Sequence, residues 1–256
     1  MSTSGYGGVP LREALRDFEM AGITNVELSV GAPGDKNTAT LLDKYIEKGF
    51  KFIPHHNAPI DGRSHPIDLC KDVPEAYLHN VFEFCISAGS PHYSVHGGSF
   101  SSDEKRQVAF GKFILNINKV NQMAAQYGTK VAVETMYPTR TGAKFVLSSE
   151  TEVKIFNQMF PDIPFILDFA HLQIMIQQGT ATPKLIQYML DLPNLLEIHI
   201  SENDGVHDHH TPVTRQSYFW NMLQSRPDVP VVMEGRLNKM GYETLRDNYQ
   251  MVLSLL

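Results

Sequence analysis

Asp168 and His171 stand three residues apart in PFILDFAH, directly after an apolar, β-prone run, and His199 closes the next such run, LLEIHIS. Carboxylates and neutral imidazoles together are the usual ligand set for zinc, manganese or iron, with histidine selecting against magnesium and calcium. Glu134 ends KVAVET and Glu234 ends PVVMEGR. Two such acids facing each other across a site can bridge metal ions or pass protons. Glu134, Asp168, His199 and Glu234 are therefore the candidate ligands of one divalent cation.

These four do not stand alone. NVELSV closes around Glu27, KFIPHH on His55 and His56, and HYSVHGG on His96, so seven apolar segments each end in an acid or a histidine. Parallel strands converge their carboxyl ends on one face, which turns a repeated strand-end ligand into a common site. Between the strands lie helical runs: PLREALRDFEMAG, TATLLDKYIEKG, EKRQVAFGKFILNINKVNQMAAQYG, TEVKIFNQMF, TPKLIQYMLD and YETLRDNYQMVLSLL. Several stop at glycine, as helix ends commonly do. Alternating strands and helices of this number predict one (β/α)8 TIM barrel over residues 1–256. Only MSTSGYGG remains for the first strand, which is expected to be short or trimmed. Pro59 to Tyr77 is long for a loop between strand and helix, and at this face such a loop is expected to act as a substrate lid.

Composition bounds the possibilities. The chain has 256 residues, 42% hydrophobic and 20% charged, with a net charge of −6. No apolar run approaches the ~18 residues of a membrane helix, so a cytoplasmic protein without membrane contact is expected. Cys70 and Cys85 lack CxxC spacing and read as buried reduced thiols. The acidic balance, with only isolated Arg63, Arg140 and Arg236 near the strand ends, makes a nucleic acid an unlikely partner. A small polyol or anionic substrate suits those arginines better. The plainest reading of Glu27 is a cap or loop anchor, and that of His56, His65, His79 and His92 is solvation or local bonding. His207 and His209 read as bystanders of the better-placed DxH formed by Asp208 and His210.

The ordered set VAVET, LDFAH, EIHISEN and VVMEG resembles the xylose isomerase-like barrel superfamily, which includes sugar and sugar-phosphate isomerases and epimerases and also endonuclease IV-type enzymes. The likeness spans nearly the whole chain. It implies that Glu134, Asp168, His199 and Glu234 match the four-ligand metal site of the epimerase branch and that His171 contacts substrate. The endonuclease IV branch implies further ligands at His55, His96, His171, Asp208 and His210 for a cluster of up to three metals. His56 remains open against His55, and His209 against His210, which the following Thr-Pro favours. Ala58 stands where endonuclease IV proteins carry an aromatic residue used to pry bases apart.

The reading is a metal-dependent isomerase or epimerase of a small sugar or sugar phosphate, acting through an enediolate. One ion of zinc, manganese or iron would serve, with Glu134 and Glu234 as proton-transfer groups and His171, Arg236 and Arg140 holding substrate. The alternative is an endonuclease IV-like phosphoester hydrolase with two or three zinc ions. Relatives of this kind commonly assemble as dimers or tetramers, so a homo-oligomer is expected.

Overall fold

The computed structural model describes residues 1–63, 67–140, 142–237 and 241–256. Strands β1 (Asn25–Leu28), β2 (Lys51–Pro54), β3 (Tyr93–His96), β4 (Ser99–Phe100), β5 (Val131–Glu134), β6 (Lys144–Phe145), β7 (Phe165–Asp168), β8 (Leu195–Ile200) and β9 (Val231–Met233) follow in chain order. The helices are α1 (Leu11–Ala21), α2 (Thr38–Glu47), α3 (Glu75–Ala88), α4 (Arg106–Gln126), α5 (Glu150–Met159), α6 (Phe169–Gln177), α7 (Lys184–Leu190), α8 (Trp220–Leu223) and α9 (Gly241–Leu253). All seven ligand-tipped segments are strands. β4 and β6 are an antiparallel pair outside the barrel register.

The helices form where apolar residues recur every three or four positions. In α1, Leu11, Ala14, Leu15 and Phe18 make the buried stripe, and Gly22 ends the helix in the left-handed region at φ +76°, its amide returning to Phe18 and Glu19. In α4, Ala109, Phe113, Ile117, Val120 and Ala124 do the same over 21 residues. The strands behave differently. All four residues of β5 and of β7 are buried, as expected of parallel strands covered by helices outside and side chains inside.

Closure uses two seams. β1 pairs with β2, and β3, β5, β7, β8 and β9 form a five-stranded parallel sheet in that order. At one seam His55 bridges Ser94, with the His55 amide donating to Leu28 O and the His56 amide to Ser94 O. At the other, the Ser2 amide donates to Met233 O at 2.8 Å while Met1 O accepts from the Glu27 amide at 2.9 Å. Met1 and Ser2 thus occupy the first strand position as a single parallel bridge to Glu27. The short first strand expected from the sequence is there, reduced to one rung. Thr3–Tyr6 then turns away as a 3-10 helix.

Two features differ from the sequence-based picture. The described residues of the Pro59–Tyr77 segment are largely packed down: Ile60, Ile67, Leu69 and Cys70 are buried, and α3 already begins at Glu75. Asp68 pins this segment to β4, accepting from the Ser99 amide at 2.8 Å, the Ser99 hydroxyl at 2.6 Å, the Cys70 amide at 3.0 Å and the Lys71 ammonium at 2.7 Å. His65 lies outside the described residues. Secondly, α6 starts at Phe169, so no loop separates strand β7 from its helix. Both cysteines are buried and free.

Candidate active site

Strand register sets the site. His96 on β3 pairs with Glu134 on β5, and Asp168 on β7 pairs with His199 on β8, so these side chains leave the sheet abreast at the barrel mouth. Glu234 follows β9 and is tied to the turn after Ser2 by a 2.9 Å hydrogen bond from the Ser4 hydroxyl. Glu134, Asp168, His199 and Glu234 are all at most 2% exposed, and each offers a donor atom within 4.8 Å of the others. His199 Nδ1 lies 3.5 Å from Glu234 Oε2 and 3.8 Å from Glu134 Oε1. Two ligands at zinc-bond length around one ion stand roughly 3.5 Å apart, so the spacing fits a cation of that size.

A second group overlaps the first. His55 Nε2 and His96 Nε2 approach Glu134 Oε2 at 2.9 and 3.1 Å. His171 Nδ1 donates to Thr135 O at 2.7 Å, which leaves Nε2 facing Asp208 Oδ2 at 3.5 Å. His210 Nε2 meets the same Asp208 oxygen at 2.8 Å, and its Nδ1 stands 3.8 Å from Glu234 Oε2. The structure therefore brings together Glu134, Asp168, His199, Glu234, His55, His96, His171, Asp208 and His210. The two histidine pairs left open by the sequence are placed differently. His55 points into the barrel, whereas His56, at φ +46°, stacks its ring on His96 with centroids 4.2 Å apart. His210, at φ +49°, turns inward, while His209 stays outside with His207 and Asp204.

The mouth is a cavity of about 240 Å³, lined by His55, His96, Glu134, His171, Asp208, His210 and Glu234 together with Tyr137, Phe145 and Arg236. Asp168 and His199 lie beneath it, fully buried. Arg236 is exposed at the rim and fixed by its amide, which donates to His210 O at 2.7 Å. Arg140 lines a separate surface depression with Lys71 and Lys144, apart from the residues that line the mouth.

Three residues read as local or unremarked prove central to the floor of the site. Glu27, expected to be a cap, is 1% exposed inside the barrel, with Oε1 3.2 Å from His55 Nδ1 and Oε2 3.1 Å from His199 Nε2. Glu197 is fully buried and accepts a 2.9 Å hydrogen bond from His199 Nε2. His92, expected to be solvated or locally bonded, is 2% exposed with Nε2 3.6 Å from Glu197 Oε2. The signal for Glu197 was present, since residues two apart in a strand share a face and His199 already faces inward. His79 is locally bonded to the Tyr127 hydroxyl as expected.

Electrostatics follow from the carboxylates and imidazoles crowded into this small volume. Burial works against the charged form of His55 and His199, yet Glu27 and the other carboxylates hold both imidazoles well above their usual range. His210 is likewise raised to about 9, against burial, by Asp208 and Glu234. Burial pushes Glu134 up, but His96, His171 and His55 win and hold it well below an ordinary carboxylate. Glu234 is held down to about 2, against burial, mainly by His199. Asp168 is the exception. Burial, with the charges of Glu134, Glu234 and Asp208, outweighs His171 and raises its carboxyl to about 7.

Asp168 also shows how one residue serves two ends. Its Oδ1 caps α6 by accepting from the His171 amide at 2.9 Å, while Oδ2 is buried with no hydrogen-bond partner among the described residues. His199 Nδ1, Glu134 Oε2, His55 Nε2 and His210 Nδ1 are buried in the same condition, close to opposite charges but misdirected for hydrogen bonds. Buried polar atoms are rarely left so. A set of converging, unsatisfied nitrogen and oxygen donors fits a divalent transition metal.

No curated protein matches the chain by sequence. Among solved structures, a D-tagatose 3-epimerase-like protein superposes with TM-score 0.72 at 12% identity, covering 99% of this chain and 97% of the other. An IOLI protein with a binding zinc atom gives 0.71 at 13% identity, covering 100% and 96%. An AP endonuclease, family 2, from Brucella melitensis gives 0.65 at 16% identity, covering 96% of each. At such identities these likenesses establish the fold. Residues 11–243 match the family model described as xylose isomerase-like TIM barrel, and the chain belongs to that family.

Proposed function

We propose that the protein is a metal-dependent isomerase or epimerase of a small sugar or sugar phosphate. The observation that carries this reading is the placement of two carboxylates, Glu134 and Glu234, on either side of His199 Nδ1 at the base of a cavity of about 240 Å³. Glu134, Asp168, His199 and Glu234 would hold a divalent cation, which would supply a Lewis acid for a substrate carbonyl. Glu134 or Glu234 removes the proton alpha to that carbonyl, and the other, or the first again, returns it to the neighbouring carbon or the opposite face. His171, whose Nδ1 is fixed on Thr135 O, turns Nε2 toward a substrate hydroxyl. Arg236 at the rim binds a distal hydroxyl or phosphate. Arg140, on its separate depression, has no part in this arrangement. A D-tagatose 3-epimerase-like protein among the fold neighbours supports the carbohydrate class.

The test is hydrogen exchange. Manganese- or zinc-loaded protein is incubated with a panel of ketoses and ketose phosphates in deuterated water, and NMR reads deuterium at the carbon next to the carbonyl. Exchange is expected with at least one substrate, falling about 10²- to 10⁴-fold in Glu134→Gln and Glu234→Gln. Absence of exchange across the panel would contradict the reading.

One observation favours a second reading. His55, His96 and Glu134 form a ligand group of their own that shares Glu134 with the first, and Asp208 and His210 line the same cavity. Two or three zinc ions there would suit hydrolysis of a phosphoester, by activating water and stabilising both the attacking and departing oxygens. The small cavity and the buried Ala58 favour a small phosphoester over a duplex. Two or more metals per chain, with cleavage of bis(p-nitrophenyl) phosphate and loss of that activity in His96→Ala, would establish it in place of the first.

A further inference from the structure

Below the cavity lie two carboxylates that face away from any substrate. Glu27 and Glu197 are 1% and 0% exposed, and both oxygens of Glu27 lack a hydrogen-bond partner among the described residues. Burying a carboxylate in this state is costly unless a charge or a proton donor is aimed at it. Two neighbouring imidazoles are aimed at it, one at each oxygen. His55 presents Nδ1 to Glu27 Oε1 at 3.2 Å, and His199 presents Nε2 to Glu27 Oε2 at 3.1 Å and to Glu197 Oε1 at 2.9 Å. The remaining nitrogens, His55 Nε2 and His199 Nδ1, face Glu134 and Glu234 at the mouth. His92 closes the floor behind Glu197.

We propose that Glu27 and Glu197 are positioning residues that hold His55 and His199 in opposite tautomers, the proton of each ring kept on the floor side and the lone pair turned to the mouth. With a cation bound, His55 is the Nδ1–H tautomer offering Nε2, and His199 is the Nε2–H tautomer offering Nδ1. One carboxylate thereby orients imidazoles from both overlapping ligand groups, and Glu197 adds a directed hydrogen bond to His199. The same carboxylates raise the basicity of the rings as metal ligands. The inference rests on the reading of the mouth as a metal site.

Two measurements test it with zinc as the probe. In zinc-loaded wild type, long-range proton–nitrogen NMR of the imidazoles is expected to show His199 protonated at Nε2 and His55 at Nδ1. Chelator competition is expected to show zinc affinity about 10- to 100-fold weaker in Glu197→Gln and in Glu27→Gln. In Glu197→Gln the His199 pattern changes while His55 keeps its own; in Glu27→Gln both change. The proposal is overturned if His199 carries its proton on Nδ1 in the wild type, a result that needs no variant to fold. Affinity within threefold of wild type in both variants, with unchanged ring patterns, overturns it as well. Failure of the wild type to take up zinc sinks the metal reading instead, and the tautomers of the neutral, metal-free rings at high pH then decide the floor on their own.

Discussion

Single residues at the mouth carry opposing demands, and Asp168 displays them most clearly. Its raised carboxyl, near 7 through burial and its acidic neighbours, binds a proton more tightly in the folded chain than in the unfolded one. Between its unfolded value near ~3.9 and 7, the folded state holds the extra proton, so this residue's contribution to stability declines as pH rises through that window. Asp168→Asn keeps the cap on α6, since asparagine accepts from the His171 amide as well as aspartate does, and it removes the buried charge. Metal-free Asp168→Asn is therefore expected to melt higher than wild type at pH 8 and no higher at pH 4, by scanning calorimetry of both proteins. A lower melting temperature at pH 8 would refute this. Zinc uptake by the wild type should fall as pH drops below about 7, where Asp168 reprotonates. At this scale the sequence was legible where a residue's type and strand-end position coincide, as for Glu134, Asp168, His199 and Glu234. Glu27 was misread because its type is equally suited to a cap, and only the closed barrel turns its strand end inward beneath two imidazoles.

Elements explain the precision of the mouth. Asp68 ties the segment after β2 to the start of β4 with two hydrogen bonds from Ser99 and braces its own turn with two more from Cys70 and Lys71, and burial, which would raise its carboxyl, loses to the Lys71 and Ser99 hydrogen bonds, leaving it below an ordinary aspartate. A depressed carboxyl lends stability that is complete above its unfolded value near ~3.9 and lost as pH falls through the folded value. Asp68→Ala leaves the Ser99 and Cys70 amides without this acceptor, a loss of about 1–3 kcal/mol, or roughly 3–10 °C in melting temperature for a chain this long. Thermal melts at pH 7 and pH 3 should show that deficit at pH 7 and a smaller one at pH 3. An equal melting temperature at pH 7 would show that the segment is not held by Asp68. The strands and long helices were legible because their apolar periodicities are strong. The β4–β6 pair was not, since strands of two residues have no period to read, and the segment that Asp68 anchors looked like a lid because prolines and glycine mask its buried Ile67 and Leu69.

Across the whole molecule, seven strands and one bridging rung set the candidate ligands around a common mouth, from β3, β5, β7 and β8, from the first turn of α6 and from the segments after β2, β8 and β9. The ring of eight was readable from the alternation of strand and helix, whereas its closure by Met1 and Ser2 through single backbone bonds to Glu27 and Met233 was not, because one rung carries no hydrophobic pattern. Among the described residues no helix is long and apolar enough to cross a membrane. Only the folded chain gathers the carboxylates and imidazoles of the mouth into one cluster, so a cation held there binds the folded state and not the unfolded one. Metal should therefore stabilise the fold itself: at a thousandfold excess over its dissociation constant, the gain is about 4 kcal/mol, or roughly 8–16 °C. Melts with and without a chelator check this, and superimposable curves would count against a bound cation.

Zinc-edge anomalous diffraction from crystals of the zinc-loaded protein is the most direct measurement. A peak is expected within bonding distance, about 2.0–2.2 Å, of Glu134, Asp168, His199 Nδ1 and Glu234. Zinc found only elsewhere on the chain, with these four side chains free of it, would contradict the metal site on which the proposed chemistry depends.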